Sequence, residues 1–151
     1  MRTFEVRTNC RLSAWRLWEL RQDFEIESTF AKREGRTLTR LQPDATIVGL
    51  NGAPRIRRRV LAELPSDAVP KVLSHWVTVT DLRSETTSTW SAEHRDRDNA
   101  CVTLVEFPKF GDAVELRFLQ HIEGDGDASC VLCTECHIKI RVDGVPSWVL
   151  E

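Results

Sequence analysis

Residues 129–142 read SCVLCTECHIKIRV, three cysteines at even spacing with a histidine directly behind the last. Two foldings compete for such a run. A structural zinc site needs four donors in a tetrahedron, and C-x2-C pairs supply them from tight turns. An extended strand instead sends alternate residues to opposite faces. Laid out as a strand, Cys130, Leu132, Thr134, Cys136, Ile138, Ile140 and Val142 share one side. Cys133, Glu135, His137, Lys139 and Arg141 share the other. One side is apolar or small and the other mostly charged, the pattern of a half-buried strand. No Gly or Pro lies inside the run to build a metal knuckle. The strand reading wins, and no metal is expected.

Working back from this strand, AVELRFLQHI (113–122), CVTLVEF (101–107), TSTWSAEH (87–94) and WVTVTDL (76–82) read as further strands. RIRRRVLAEL (55–64), TIVGL (46–50) and TLTRL (37–41) precede them, with Asn51-Gly52 as a hairpin signal. PSDAVPKVLSH (65–75) is a turn or short helix that Pro70 keeps from extending. The separators HRDRDNA, PKFGD and EGDGDA are short and turn-rich. Strands joined this closely are antiparallel neighbours, because a parallel pair needs a long crossover.

Before residue 37 the period changes. TFEVRTN (3–9) alternates as a strand. Ser13 is placed to cap AWRLWELRQ (14–22), with Leu12 as half of a hydrophobic staple. Trp15 and Trp18 fall on one stripe of that helix, widened by Ala14, Leu17 and Leu20. FEIESTFAKRE (24–34) follows as a second helix, with Ile26, Phe30 and Ala31 inward and Gly35 in the stop position. The order is strand, two helices, then a meander of about six or seven strands, a single α+β domain over 1–151.

A length of 151 residues suits one hydrophobic core. Hydrophobic residues make up 41% and charged residues 29%, a soluble globular composition. A net charge of −2 gives no basic excess to attract nucleic acid. No apolar run approaches the ~20 residues that span a bilayer. The opening MRTFEVRTNCRLSAW lacks the apolar core of a signal peptide. Five cysteines, an odd number among apolar neighbours, favour reduced thiols and a cytoplasmic setting.

Among other groupings, Arg55, Arg57 and Arg59 alternate outward as a solvated face. Arg58 shares the side of Ile56 and Val60, so it projects inward and needs a partner. EHRDRDN (93–99) reads as a solvated hairpin tip, not an acid–base pair. His75, His94 and His121 stand singly, with no second ligand at metal spacing. No G-x-S-x-G, P-loop, H-E-x-x-H or G-x-G-x-x-G occurs. Most of the five tryptophans are core, whereas Trp90, among Thr89, Ser91 and Ala92, is a candidate for a pocket wall.

A first strand, two consecutive helices and a long antiparallel meander resemble the START-like, or helix-grip, superfamily of lipid-transfer and polyketide-cyclase-like proteins. FAKREG (30–35) closes the helix pair, WSAEH (90–94) falls in a middle strand, and EFPKFGDAVELRF (106–118) precedes the long last strand. The resemblance implies a curved antiparallel sheet that leaves an apolar cavity against helices. Its concave side would present Leu116, Phe118, Leu132, Thr134, Cys136 and Ile138. With Arg58 and Trp90 these are the expected ligand-binding residues, for a hydrophobic small molecule of the lipid or sterol class, with no cofactor and no catalytic residue. An enzyme of cyclase or dehydratase type is the alternative, with Arg58 and His121 as its inward ionisable groups. The third reading is an interaction domain. After Val142 only DGVPSWVLE remains, enough to begin a helix after Pro146 but short of the family's long terminal one. Several hundred Å² of apolar sheet would then need a cover, which raises the expectation of a homo-oligomer or of transient membrane contact.

Overall fold

A computed structural model describes residues 1–124 and 126–141. Strand β1 (Arg2–Cys10) leads into helices α1 (Ala14–Gln22) and α2 (Phe24–Arg33). Seven strands follow: β2 (Thr37–Arg40), β3 (Ala45–Val48), β4 (Pro54–Glu63), β5 (Ser84–Trp90), β6 (Cys101–Glu106), β7 (Val114–Glu123) and β8 (Cys130–Ile140). They form one curved antiparallel sheet in the order β1-β8-β7-β6-β5-β4-β2, with β3 also paired to β4. The meander after the helices therefore has seven strands, and β1 brings the sheet to eight. The segment 142–151, where a short terminal helix after Pro146 was expected, lies outside the described residues.

Side-chain and backbone caps set the helices. The Ser13 hydroxyl accepts from the Arg16 amide at 3.1 Å, satisfying a first-turn donor. Asp23 ends one helix and begins the next. Its amide donates to the Leu20 carbonyl at 3.3 Å, while its carboxylate accepts from Glu25 at 2.9 Å and Ile26 at 3.3 Å. Helix α2 stops at Gly35, whose φ of 79° is left-handed. Arg36 N–H bonds back to Ala31 O at 2.9 Å and Gly35 N–H to Lys32 O at 3.0 Å, a Schellman stop. At Asn51-Gly52 the turn is a three-residue loop: Gly52 donates to Gly49 O at 2.9 Å, and Gly49 donates to Ala53 O at 2.8 Å. Gly52, at φ 78°, supplies the left-handed residue of this hairpin.

The core sits where α1 meets the sheet. Ala14, Trp18, Trp90, Ile122 and Cys130 are buried together, and Trp18 Nε1 donates to Ser91 O at 2.9 Å. Trp15 departs from the expected stripe: it is 52% exposed, with Arg95 stacked 5.8 Å over its ring. Ala14 and Trp18, four residues apart, share the buried face of α1, and Trp15 lies off it.

Two strand expectations fail for local reasons. WVTVTDL (76–82) alternates but forms turns, with a short 3-10 turn at Thr80–Leu82. Thr78 and Asp81 close a reciprocal box. Thr78 N–H donates to Asp81 Oδ2 at 2.9 Å, and Asp81 N–H donates to Thr78 Oγ1 at 3.3 Å. Such side-chain bonds compete with a sheet ladder. TSTWSAEH (87–94) is strand only to Trp90. The Ser91 hydroxyl then accepts from Glu93 N at 3.3 Å and His94 N at 3.1 Å, which turns the chain.

Candidate functional site

The sheet register fixes which side chains face the helices. Arg58 opposes Ser88, Ser88 opposes Thr103, Thr103 opposes Phe118, Phe118 opposes Cys136, and Cys136 opposes Phe4. One row therefore crosses six strands on the inner side. The next row runs Val60, Thr86, Val105, Leu116 and Ile138. Between this face and the helices lies a cavity of about 770 Å³. Leu17, Trp18, Leu20 and Ile26 close it from the helices, and Val60, Trp90, Val105, Leu116 and Phe118 from the sheet. A seam of hydroxyls, Ser84, Thr86, Ser88 and Thr103, runs through that apolar wall. Ser88 and Thr103 hydrogen-bond each other at 3.0 Å, and each hydroxyl keeps capacity for a further partner.

Arg58 is the charged member of the wall, 5% exposed. Its Nη2 donates to Asp44 Oδ2 at 2.9 Å and to the Gln22 carbonyl at 2.6 Å, and its Nη1 donates to Glu27 Oε2 at 3.1 Å. The guanidinium also lies 5.0 Å over Trp90 and 5.4 Å over Phe24. The partner that its inward position demands is thus supplied twice over, by carboxylates from α2 and from the β2–β3 turn. The other charged lining groups are engaged as well. Arg36 donates to Glu34 at 2.6 Å, and Arg21 donates to the Gln120 amide oxygen. Burial pushes the Cys101 thiol up, although the Thr103 hydrogen bond counteracts it. Trp90 Nε1 is buried without a partner among the described residues.

No family model matches the sequence, and comparison with curated proteins gives no match. Solved structures do match in shape. The chain is similar to an aromatase/cyclase from a Streptomyces species, with a TM-score of 0.58 at 11% identity over 95% of this chain and 70% of that one. It is similar to norcoclaurine synthase from Thalictrum flavum, a point mutant in complex with a transition state analogue (0.57, 12%, 99% and 86%). A START superfamily protein from Mycobacterium smegmatis also matches (0.54, 11%, 97% and 83%). The fold is the helix-grip fold. At these identities the likeness is one of architecture.

Within this helix-grip sheet, Arg58, Trp90, Leu116 and Phe118 line the cavity. Leu132, Thr134, Cys136 and Ile138 lie on the same inner face, on β8, but do not border it. Leu132 packs on the core, and Thr134 accepts from Gln120 Nε2 at 3.1 Å. His121 is a correction. Leu116, Phe118 and Gln120 point inward, so the period of two sends His121 to the outer face, where it meets Cys133 and Glu123. Phe30 borders the cavity but is 59% exposed, so it is not the inward residue expected. The helix side and the hydroxyl seam were missed by the sequence reading. Their signal is in SETTSTW (84–90), where alternation places Ser84, Thr86 and Ser88 on Trp90's side.

Proposed function

We propose that this helix-grip chain works as one cytosolic domain that holds a hydrophobic small molecule of the lipid or sterol class in the sheet–helix cavity. One observation carries the reading. The cavity wall is apolar and hydroxyl-bearing, and every charged group in it is already engaged by a protein partner. Such a wall supplies burial energy of ~25 cal/mol per Å² and a few orienting hydrogen bonds. A volume of about 770 Å³ falls within the ~300–1,000 Å³ of small-molecule sites. The seam of hydroxyls suits a guest with a hydroxyl or carbonyl on an apolar frame.

The enzyme alternative rests on less. Of its two ionisable candidates only Arg58 borders the cavity, and Asp44, Glu27 and Gln22 occupy its donors. Protein purified without detergent is expected to release a co-purified apolar compound on extraction and mass spectrometry. It should also bind members of a fatty-acid and sterol panel with quenching of Trp18 and Trp90 fluorescence. A clean apo protein that binds nothing from the panel overturns the proposal.

A further inference from the structure

The face of the sheet opposite the cavity carries a second constellation. His121 on β7 is paired with Cys133 on β8, which is paired in turn with Arg7 on β1. Glu123, two residues after His121, shares its side of β7. His121 Nε2 stands 3.3 Å from Glu123 Oε1, and the ligand atoms of His121, Glu123 and Cys133 all lie within 4.8 Å of one another. They border a hollow of about 50 Å³, room for one small ion and its water.

Two features separate this group from an ordinary charged surface. Cys133 is 1% exposed, yet its cross-strand neighbours are an arginine and a histidine, where a thiol buried for its apolar character would have apolar company. Glu5 and Glu135, which also border the hollow, face each other directly across β1 and β8. Arg7 already meets Glu5 at 3.3 Å and His137 meets Glu135 at 2.7 Å, so these carboxylates add negative charge around the hollow without themselves requiring an ion. Finally, imidazole, carboxylate and thiolate together are a zinc donor set, and three protein ligands leave a position for water. Donors around a tetrahedral zinc stand about 3.3–3.8 Å apart given bonds of ~2.0–2.3 Å. The His121–Glu123 pair already has that spacing, and with all three donor atoms within 4.8 Å of one another Cys133 needs a shift of at most about 1 Å.

We propose that His121, Glu123 and Cys133 bind one zinc(II) ion on the outer face of the sheet, with water in the fourth position. On binding, the Cys133 thiol gives its proton to solvent. Arg7 donates to both oxygens of Glu123 and to Glu5, so zinc takes the Glu123 oxygen nearer His121 from Arg7, which keeps Glu5 and the other Glu123 oxygen. The zinc knuckle rejected for 129–142 is a different arrangement. It would draw several ligands from one strand, whereas this site takes two from β7 and one from β8.

The test uses untagged full-length protein stripped with EDTA and titrated with zinc(II), with a chromogenic chelator as competitor. One equivalent is expected to bind, and the melting temperature should rise with added zinc. Cobalt(II) in place of zinc should give a thiolate charge-transfer band in the near ultraviolet. Cys133→Ser should abolish that band, and His121→Gln and Glu123→Gln should each weaken zinc at least about tenfold, the lower end expected even for outer-shell changes. Cys136→Ser and Cys130→Ser, on the inner face, should leave both readouts unchanged. Absence of stoichiometric binding by the unmodified chain overturns the proposal. So does affinity undiminished in His121→Gln and Glu123→Gln, which keeps the test decisive if Cys133→Ser does not fold.

Discussion

The Arg58 guanidinium lies 5.0 Å over the Trp90 ring, so the cavity wall contains a cation pressed against an indole. Of its two carboxylate partners Asp44 makes the more bonds, at 2.9 and 3.2 Å, while Glu27 makes one at 3.1 Å. Asp44→Asn keeps the shape and removes the balancing charge. Because the Asp44 carboxylate is partly open to solvent, the expected loss is about 2–3 kcal/mol, just below the ~3–5 kcal/mol for breaking a fully buried pair. Urea unfolding monitored by tryptophan fluorescence measures it. A change below about 0.5 kcal/mol would show that Glu27 and Gln22 suffice.

Thr86 sits between Val60 and Val105 in an inner row and borders the cavity. Thr86→Phe puts a ring into that space. Guest binding is expected to fall tenfold or more, about 1.4 kcal/mol, while the fold is kept. Fluorescence titration with a bound fatty acid or sterol, beside circular dichroism of the variant, reads both effects. Undiminished binding would place the guest elsewhere.

Gly35 terminates α2 with φ at 79°. A Cβ there would also meet Pro65 Cγ at 3.2 Å. Gly35→Ala is expected to cost about 1–2 kcal/mol, from the left-handed backbone and the crowded ring together. Denaturant midpoints of the two proteins decide it, and an unchanged midpoint contradicts the strain.

Cys101, Cys130 and Cys136 have thiols pushed up by burial. A raised thiol carries less thiolate at a given alkaline pH, and thiolate is the reactive form. Alkylation of the native protein near pH 8 should therefore mark the half-buried Cys10 before these three. Peptide mapping by mass spectrometry gives the order. Loss of the difference in denaturant is the expected control.

The sheet was legible because its signals are local and repeated. Residues 129–142 separate apolar from charged at period two, and β7 does the same, so an antiparallel meander followed from pattern and short loops. The helix pair was equally readable from Ser13 and Gly35. What escaped were relations between distant residues. Nothing in FEIES or in QPDAT announces that Glu27 and Asp44 both reach Arg58. The strand pattern at 76–82 misled because a Thr78–Asp81 box outweighs alternation where no partner strand is paired. The pocket was expected too far toward β8, since sequence shows which face a residue takes but not where the helices lie on it.

The two helices leave from β1, one border of the sheet, and return to β2, at the other. They act as a belt across the opening of a bent plate. The girth of the enclosed space is therefore governed by the belt's length, residues 11–36, rather than by the strands that upholster it. Adding or removing a turn of helix would widen or narrow that space and leave the hydrogen-bonded plate untouched.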